Sequence, residues 1–255
     1  MTTDLEAAPP PPVPEESKDS WQRLGGVLFS PDETFRDIAR RPNVLLPLAI
    51  LFIVSVISAV LLIPRIDFES TVRDQMERSS RAASMSPGDM DRAVRMGAAL
   101  GKAIGYASPV VAIAIWAIIA GVMLTAFRLF GGEGTYKQAF SATLYAWIPL
   151  LIKSIVTTAV AMTKSTIDAE QIATLVTSNP AFLLDLKVHP IAFSLLSSID
   201  IFAIWTIVLF IIGFAHLSKV SKAKSATIVI SLWAVMIIVK LGFAALGAAR
   251  MKAAS

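Results

Sequence analysis

The sequence contains no cysteine and only two histidines, His189 and His216, among its 255 residues. Without cysteine the chain has no disulfide framework, no thiol nucleophile and no thiolate metal site. The two histidines are far apart in the sequence, and a lone histidine makes a poor metal site. We therefore predict that the protein has no metal site and no cofactor.

The short motifs that mark many enzymes are also absent. The sequence has no HExxH pair, no GxSxG turn, no P-loop and no pair of acids placed for hydrolysis. We therefore predict that the protein is not an enzyme.

Charge is scarce as well, since 16% of the residues are charged whereas a soluble domain usually carries about 25%. Hydrophobic residues make up 55% of the chain, and this combination indicates a membrane protein. The net charge of +4 is too small to indicate a nucleic-acid partner. Membrane topology and anionic membrane lipid explain the basic residues better.

Five apolar stretches are long enough to cross a bilayer, whose core takes about 20 apolar residues of helix. None of them alternates as the strand of a membrane barrel does. The sequence therefore predicts an all-α fold, a polytopic membrane helix bundle with five transmembrane helices plus amphipathic and extramembrane helices. The predicted spans are residues 44–63, 107–130, 139–162, 191–217 and 225–247.

The whole chain is predicted to divide into four parts. Residues 1–19 contain PPPPVP and several acids, which predicts a disordered proline-rich tail. Residues 20–42 predict amphipathic interfacial helices, the second starting at Ser30-Pro31. These helices either lie on the membrane surface or dock on the protein, and the sequence leaves both interpretations open. Residues 43–248 form the membrane domain, and 249–255 form a C-terminal tail.

Two polar loops interrupt the predicted spans. The loop 65–106 predicts two extramembrane helices near 67–84 and 87–104, the second of which could extend the second span out of the membrane. The loop 163–190 predicts a short helix near 168–178.

Basic residues near the short loops predict an N-terminus in the cytoplasm and a C-terminus outside, although the raw count of Lys and Arg favours the reverse. In that orientation two basic groups face the inner lipid headgroups. We predict that they contact anionic lipid: Arg36, Arg40 and Arg41 before the first span, and Lys219, Lys222 and Lys224 between the last two.

Three charged residues, Lys153, Asp200 and Lys240, fall inside predicted spans, where an ionised side chain costs at least ~2.5 kcal/mol. All three are predicted at one depth, nearer the face of the long loops, as an intramembrane polar cluster. Three interpretations remain open: an ion pair that holds helices together, lysines that snorkel separately, or a polar path for a proton, ion or small anion. Pro149, one turn before Lys153, either kinks its helix toward a partner or is a tolerated membrane proline.

Between the second and third spans, Gly131, Gly132 and Gly134 permit positive φ and predict a tight turn, with a ligand-binding glycine loop as the alternative. This stretch, LFGGEGTYKQAFSATLYAWIP (129–149), resembles the Yip1-domain family of five-span membrane proteins. FSPDETFRDIARRPNVLLPL (29–48) and GFAHLSKVSKAKSATIVISLW (213–233) are similar to the same family, in the same order. The resemblance covers about residues 21–248.

The resemblance implies a five-span integral membrane protein. Eukaryotic relatives act in vesicle trafficking and bind prenylated small GTPases, a role that we do not carry over. Some bacterial relatives accompany ABC-type exporters, and the short polar termini here are typical of a bacterial member. We therefore expect an inner-membrane scaffold or accessory subunit with a membrane-protein partner or a homo-oligomer, or a protein that organises membrane lipid. The alternative is a small transporter or channel that uses Lys153, Asp200 and Lys240.

Overall fold

The computed structural model describes residues 19–77, 85–186 and 188–252. The predicted disordered tail falls outside these residues, except for Asp19. Ten α-helices and two short strands are described, together with the 3₁₀ segments Ile63–Arg65, Ala169–Thr174 and Pro180–Leu183. They are α1 (Ser20–Phe29), α2 (Pro31–Arg40), α3 (Leu45–Leu62), β1 (Ile66–Asp67), α4 (Phe68–Glu77), α5 (Pro87–Leu129), α6 (Tyr136–Ala146), α7 (Ile148–Met162), β2 (Ile167–Asp168), α8 (Pro190–Leu196), α9 (Ile201–Ser218) and α10 (Lys222–Lys252).

Five helical segments of the described chain are long and apolar enough to cross a membrane, which confirms the predicted five-span, all-α fold. They are Leu45–Arg65, Pro87–Leu129, Tyr136–Met162, Ile201–Ser218 and Lys222–Ala249. Because consecutive spans run in opposite directions, their connections divide between two faces. We call the face that carries α1, α2 and the turns 130–135 and 219–221 the proximal face. The opposite one, which carries the loops 63–86 and 163–200, is the distal face.

The predicted fourth span, 191–217, is wrong at its N-terminal end. The chain forms the short helix α8, turns over 197–200, and only then begins α9. The break occurs at Asp200, whose carboxylate accepts hydrogen bonds from the first backbone amides of α9 and so fixes the helix start there. A fourth span of 18 residues is left, about 27 Å long, which is close to the thickness of a bilayer core.

Two other predicted boundaries differ from the structure. The third span is interrupted at Trp147, because Pro149 has no backbone N–H to continue the hydrogen-bond ladder. The last helix runs to Lys252, so the first residues of the predicted C-terminal tail are helical.

The second span continues far beyond the membrane. Helix α5 has 43 residues and is about 64 Å long, roughly twice a bilayer core, so the predicted helix 87–104 is its distal end. Three glycines of this end allow close packing, two of them against α4 and one against the end of the first span. A Cβ added to Gly97 would lie 2.8 Å from a Val72 methyl carbon, and one added to Gly101 would lie 2.7 Å from the Phe68 ring. Gly105 receives Ile63 in the same way.

A two-residue parallel ladder joins the two distal loops. Ile66 of β1 pairs with Ile167 of β2, and both side chains are buried. The ladder therefore ties the loop after the first span to the loop after the third.

Helices α1 and α2 dock on the protein, as the second interpretation of the N-terminal segment states, and their contact with the membrane surface stays a prediction. Val27, Phe35 and Ile38 are buried in one cluster with residues of α5, α6 and α9. Arg23 is also buried; its guanidinium donates to Asp37 Oδ2 at 2.8 Å and to the Arg41 carbonyl at 2.8 Å. The apolar face of this hairpin is therefore covered by protein.

Candidate functional site

Lys153 and Asp200 form an ion pair between α7 and the start of α9. The Lys153 Nζ lies 2.6 Å from the Asp200 Oδ2. The Asp200 side chain is 3% exposed and that of Lys153 is 23% exposed, so other protein atoms cover most of the ion pair. In such a place an ionised group depends on its partner, because solvent screens it little.

Asp200 accepts further hydrogen bonds from the start of α9 and from the distal loop before α8. Its Oδ1 accepts from the amides of Phe202 and Ala203, at 2.9 and 3.3 Å. Its Oδ2 also accepts from Ser178 Oγ at 2.5 Å and from Asn179 Nδ2 at 3.4 Å. The carboxylate thus caps α9, whose N-terminal dipole favours an anion, and holds the distal loop against the bundle.

Lys240 lies close by but has different partners. Its ammonium donates to Ser197 Oγ and Ser198 Oγ, both at 2.9 Å, and the described contacts include no ion pair with Asp200. Of the two predicted partners of Asp200, therefore, the structure joins only Lys153 to it. The snorkelling interpretation does not describe Lys240 fully either, because two hydroxyls hold its charge in place.

The three charged residues share one depth. Counted along their helices at 1.5 Å per residue, they lie about 25 to 27 Å from the proximal ends of their spans, which are Tyr136, Ser218 and Lys222. A bilayer core is about 30 Å thick, so this layer sits near its distal boundary. Two cavities of the described bundle, one between α5 and α10 and one beside Trp116 and Trp147, are lined by none of the three.

The proximal face is organised around the carboxylate of Asp32 in α2. It forms ion pairs with Lys222 and with Arg36, the latter at 3.3 Å, and lies 3.1 Å from His216 Nε2. These contacts fasten α2 to the end of α9 and the start of α10. Hydrogen bonds from Lys222 and His216 lower the pKa of the Asp32 carboxyl from 3.8 to about 2.

That pKa predicts a pH dependence of hairpin docking. Because Asp32 is more acidic in the folded protein, its contribution to docking is present above pH 3.8 and is lost as the pH falls toward 2. We expect amide exchange in α2, corrected for intrinsic rates, to accelerate over that window. Asp32→Asn should exchange faster at pH 5 and show little further change on acidification; an unchanged wild-type-like profile in this variant would contradict the assignment.

The six predicted lipid-contacting residues are all exposed on the proximal face, but they are not equivalent. Lys219 pairs with Glu133 at 2.7 Å, and Arg36 and Lys222 share Asp32. Arg40 and Arg41 end α2, where the Arg41 carbonyl accepts from Arg23. Contact of these residues with lipid stays a prediction.

Glycine is required in the predicted turn for two different reasons. Gly131 and Gly134 have φ values of +78° and +120°, which glycine adopts without strain. Gly132 instead permits a close approach, because an added Cβ would lie 2.9 Å from both the Phe127 carbonyl and Ser218 Cβ. The turn packs against the end of α9, and the Glu133 amide donates to the Ser218 carbonyl at 3.0 Å.

Sequence reasoning missed the partners that complete these contacts. Ser178, Asn179, Ser197 and Ser198 surround the charged layer, and Asp32 organises the proximal face. A signal for the first group was present: SSID before an apolar run is the pattern of a helix N-cap. The contact of Asp32 with His216 had no comparable signal, because the two residues are 184 positions apart in the sequence.

Comparison with known proteins gives one match over most of the chain. The family model of the Yip1 domain matches residues 25–243. The chain belongs to the Yip1-domain family. No curated protein and no solved structure shows significant similarity to it.

The Yip1 match and five apolar helices indicate a multi-pass membrane protein. The Yip1 family is not known for enzymatic activity. The match begins within α1 and ends within α10, so it includes α2 and the second half of α1.

Proposed function

We propose that this Yip1-domain protein is a non-enzymatic scaffold or accessory subunit that acts by binding another membrane protein. An exporter complex of the inner membrane fits the family resemblance, with the N-terminus of the chain in the cytoplasm. The ion pair and the caps around it support a structural role, because every described contact of Asp200 holds helices or loops together.

The observation that carries the proposal is an apolar stripe on the distal end of α5, formed by Met96, Leu100 and Ile104. These residues follow at intervals of four, and they are 73%, 61% and 61% exposed. Counted from Leu129, they lie about 37 to 50 Å along the helix, beyond a bilayer core of about 30 Å. An exposed apolar row outside the membrane indicates a protein-binding surface.

A pull-down in gentle detergent from the native membrane tests the proposal. We expect the wild-type chain to retain a transporter subunit, and the double variant Met96→Glu/Leu100→Glu to lose it by tenfold or more, because charge in an apolar interface is costly. The matched control is Lys102→Glu, an exposed position on another face of α5, which should retain the subunit. Equal recovery with the double variant would overturn the role of this stripe.

A small transporter or channel is the second candidate. It is favoured by the shared depth of Lys153, Asp200 and Lys240, and by the exposed position of Lys240. Isolation of a homo-oligomer without a partner, together with proton or anion flux in proteoliposomes that Lys240→Met abolishes, would replace the scaffold proposal. Absence of flux from such proteoliposomes would remove the transporter.

A further inference from the structure

Lys224 differs from the other two lysines of the turn between α9 and α10. Lys219 is paired with Glu133, and Lys222 is paired with Asp32. The Lys224 ammonium has no hydrogen bond or ion pair to another described residue, although its backbone amide donates to Ser221 Oγ. One uncompensated cation therefore lies at the proximal boundary of the membrane.

A groove begins at this lysine and runs into the membrane-spanning part of α10. It has a volume of about 260 Å³ and lies between α5 and α10. Ala126 and Phe130 form the α5 side. The α10 side includes Lys224, Thr227, Ser231 and Val235. From Lys224 to Val235 it extends about 16 Å along the helix, more than half of one leaflet's depth and with an apolar inner end.

We propose that this groove binds one anionic phospholipid of the proximal leaflet, with an acyl chain along α10 and the phosphate at Lys224. The proposal concerns the face opposite to the α5 stripe and does not depend on the scaffold function. Charge and polarity agree with such a ligand, since the cation stands at the headgroup level and the apolar surface lies below it.

The position of the charge favours an anionic lipid over a partner helix. Lys224 stands at the level of the headgroups, and the lining below it runs about 16 Å along α10, a length that an acyl chain of the same leaflet covers. Thr227 does not call for a polar ligand within the groove, because its hydroxyl already donates to the Ala223 carbonyl at 3.1 Å.

Native mass spectrometry of the full chain in detergent tests this site. The probes are dioleoyl phosphatidylglycerol and dioleoyl phosphatidylcholine, which share acyl chains and differ in headgroup charge. We expect wild-type protein to retain one phosphatidylglycerol in preference to phosphatidylcholine by roughly fivefold, the factor that about 1 kcal/mol per lysine near an anionic surface gives. Lys224→Gln should reduce the preference to near one, and Lys224→Arg should keep it.

Two further variants separate the site from general attraction to a basic face. Lys219→Gln removes an exposed lysine of the same turn and should keep the preference. Ser231→Phe should fill the groove and reduce retention of both lipids, with the thermal midpoint of the variant checked first. The proposal would be overturned if Lys219→Gln lost the preference as fully as Lys224→Gln, or if Lys224→Gln kept it. Unchanged lipid retention in folded Ser231→Phe would also overturn it.

Discussion

Asp200→Ala is expected to lower the free energy of unfolding of the membrane domain by about 4 kcal/mol. The substitution leaves the Lys153 ammonium buried without its anion, which typically costs 3–5 kcal/mol, and the lower figure fits a lysine that is 23% exposed. It also removes the cap of α9, worth about 1 kcal/mol in other helices. Unfolding in detergent, followed by circular dichroism, measures the difference.

Removing the other partner should cost less. Lys153→Met leaves Asp200 with the hydrogen bonds from Ser178, Asn179 and the α9 amides, and the new side chain suits an apolar place. We therefore expect Lys153→Met to lose less than half as much stability as Asp200→Ala. The double variant Lys153→Met/Asp200→Ala should be more stable than the sum of the two single losses predicts, because neither charge is then left alone. A larger loss in Lys153→Met would show that the cap is unimportant.

Gly101→Leu should separate α4 from α5 and cost about 1–3 kcal/mol, the usual range for overpacking. An added Cβ would meet the Phe68 ring at 2.7 Å, and a ring cannot fold away as a flexible chain end can. The matched control is Gly242→Leu, because no atom lies within 4 Å of a Cβ built there. Leucine also favours helix over glycine by somewhat less than 1 kcal/mol, so this control should be neutral or slightly stabilising.

The chain offers a direct readout of that separation, because it contains no native cysteine. Val72→Cys places a single thiol against Gly97, and its reaction with a maleimide reports how closely α4 is packed. We expect Gly101→Leu to accelerate labelling severalfold, and Gly242→Leu to leave it unchanged. Equal labelling in both variants would show that the glycines of α5 do not hold α4 in place.

The sequence was sufficient for the number of spans, because each of the five apolar stretches carries its own signal. It was insufficient where a helix start depends on a single side chain. The apolar run from Ile191 reads as one helix, yet the Asp200 carboxylate competes for the local amides and divides it. Periodicity averages over such a residue, and only the N-cap pattern before Ile201 marks the break.

The charged residues show the same limit in three dimensions. Helix counting placed Lys153, Asp200 and Lys240 at one depth, but depth does not give the rotation of each helix about its axis. Rotation decided that Lys153 reaches Asp200 while Lys240 reaches Ser197 and Ser198. The amphipathic face of α2 was equally visible in the sequence, whereas its partner was not, because Phe35 meets Gly213 of a distant span.

The docked hairpin also constrains the order of assembly. During synthesis α1 and α2 emerge first, but His216, which lies against Asp32, follows 184 residues later, and Lys222 later still. Until α9 and α10 have entered the membrane, Val27, Phe35 and Ile38 lack the surface that buries them. We expect the apolar face of this segment to lie at a lipid interface until then. Helices α1 and α2 are thus made before the other described helices, and they reach their docked position after α9 and α10 have entered the membrane.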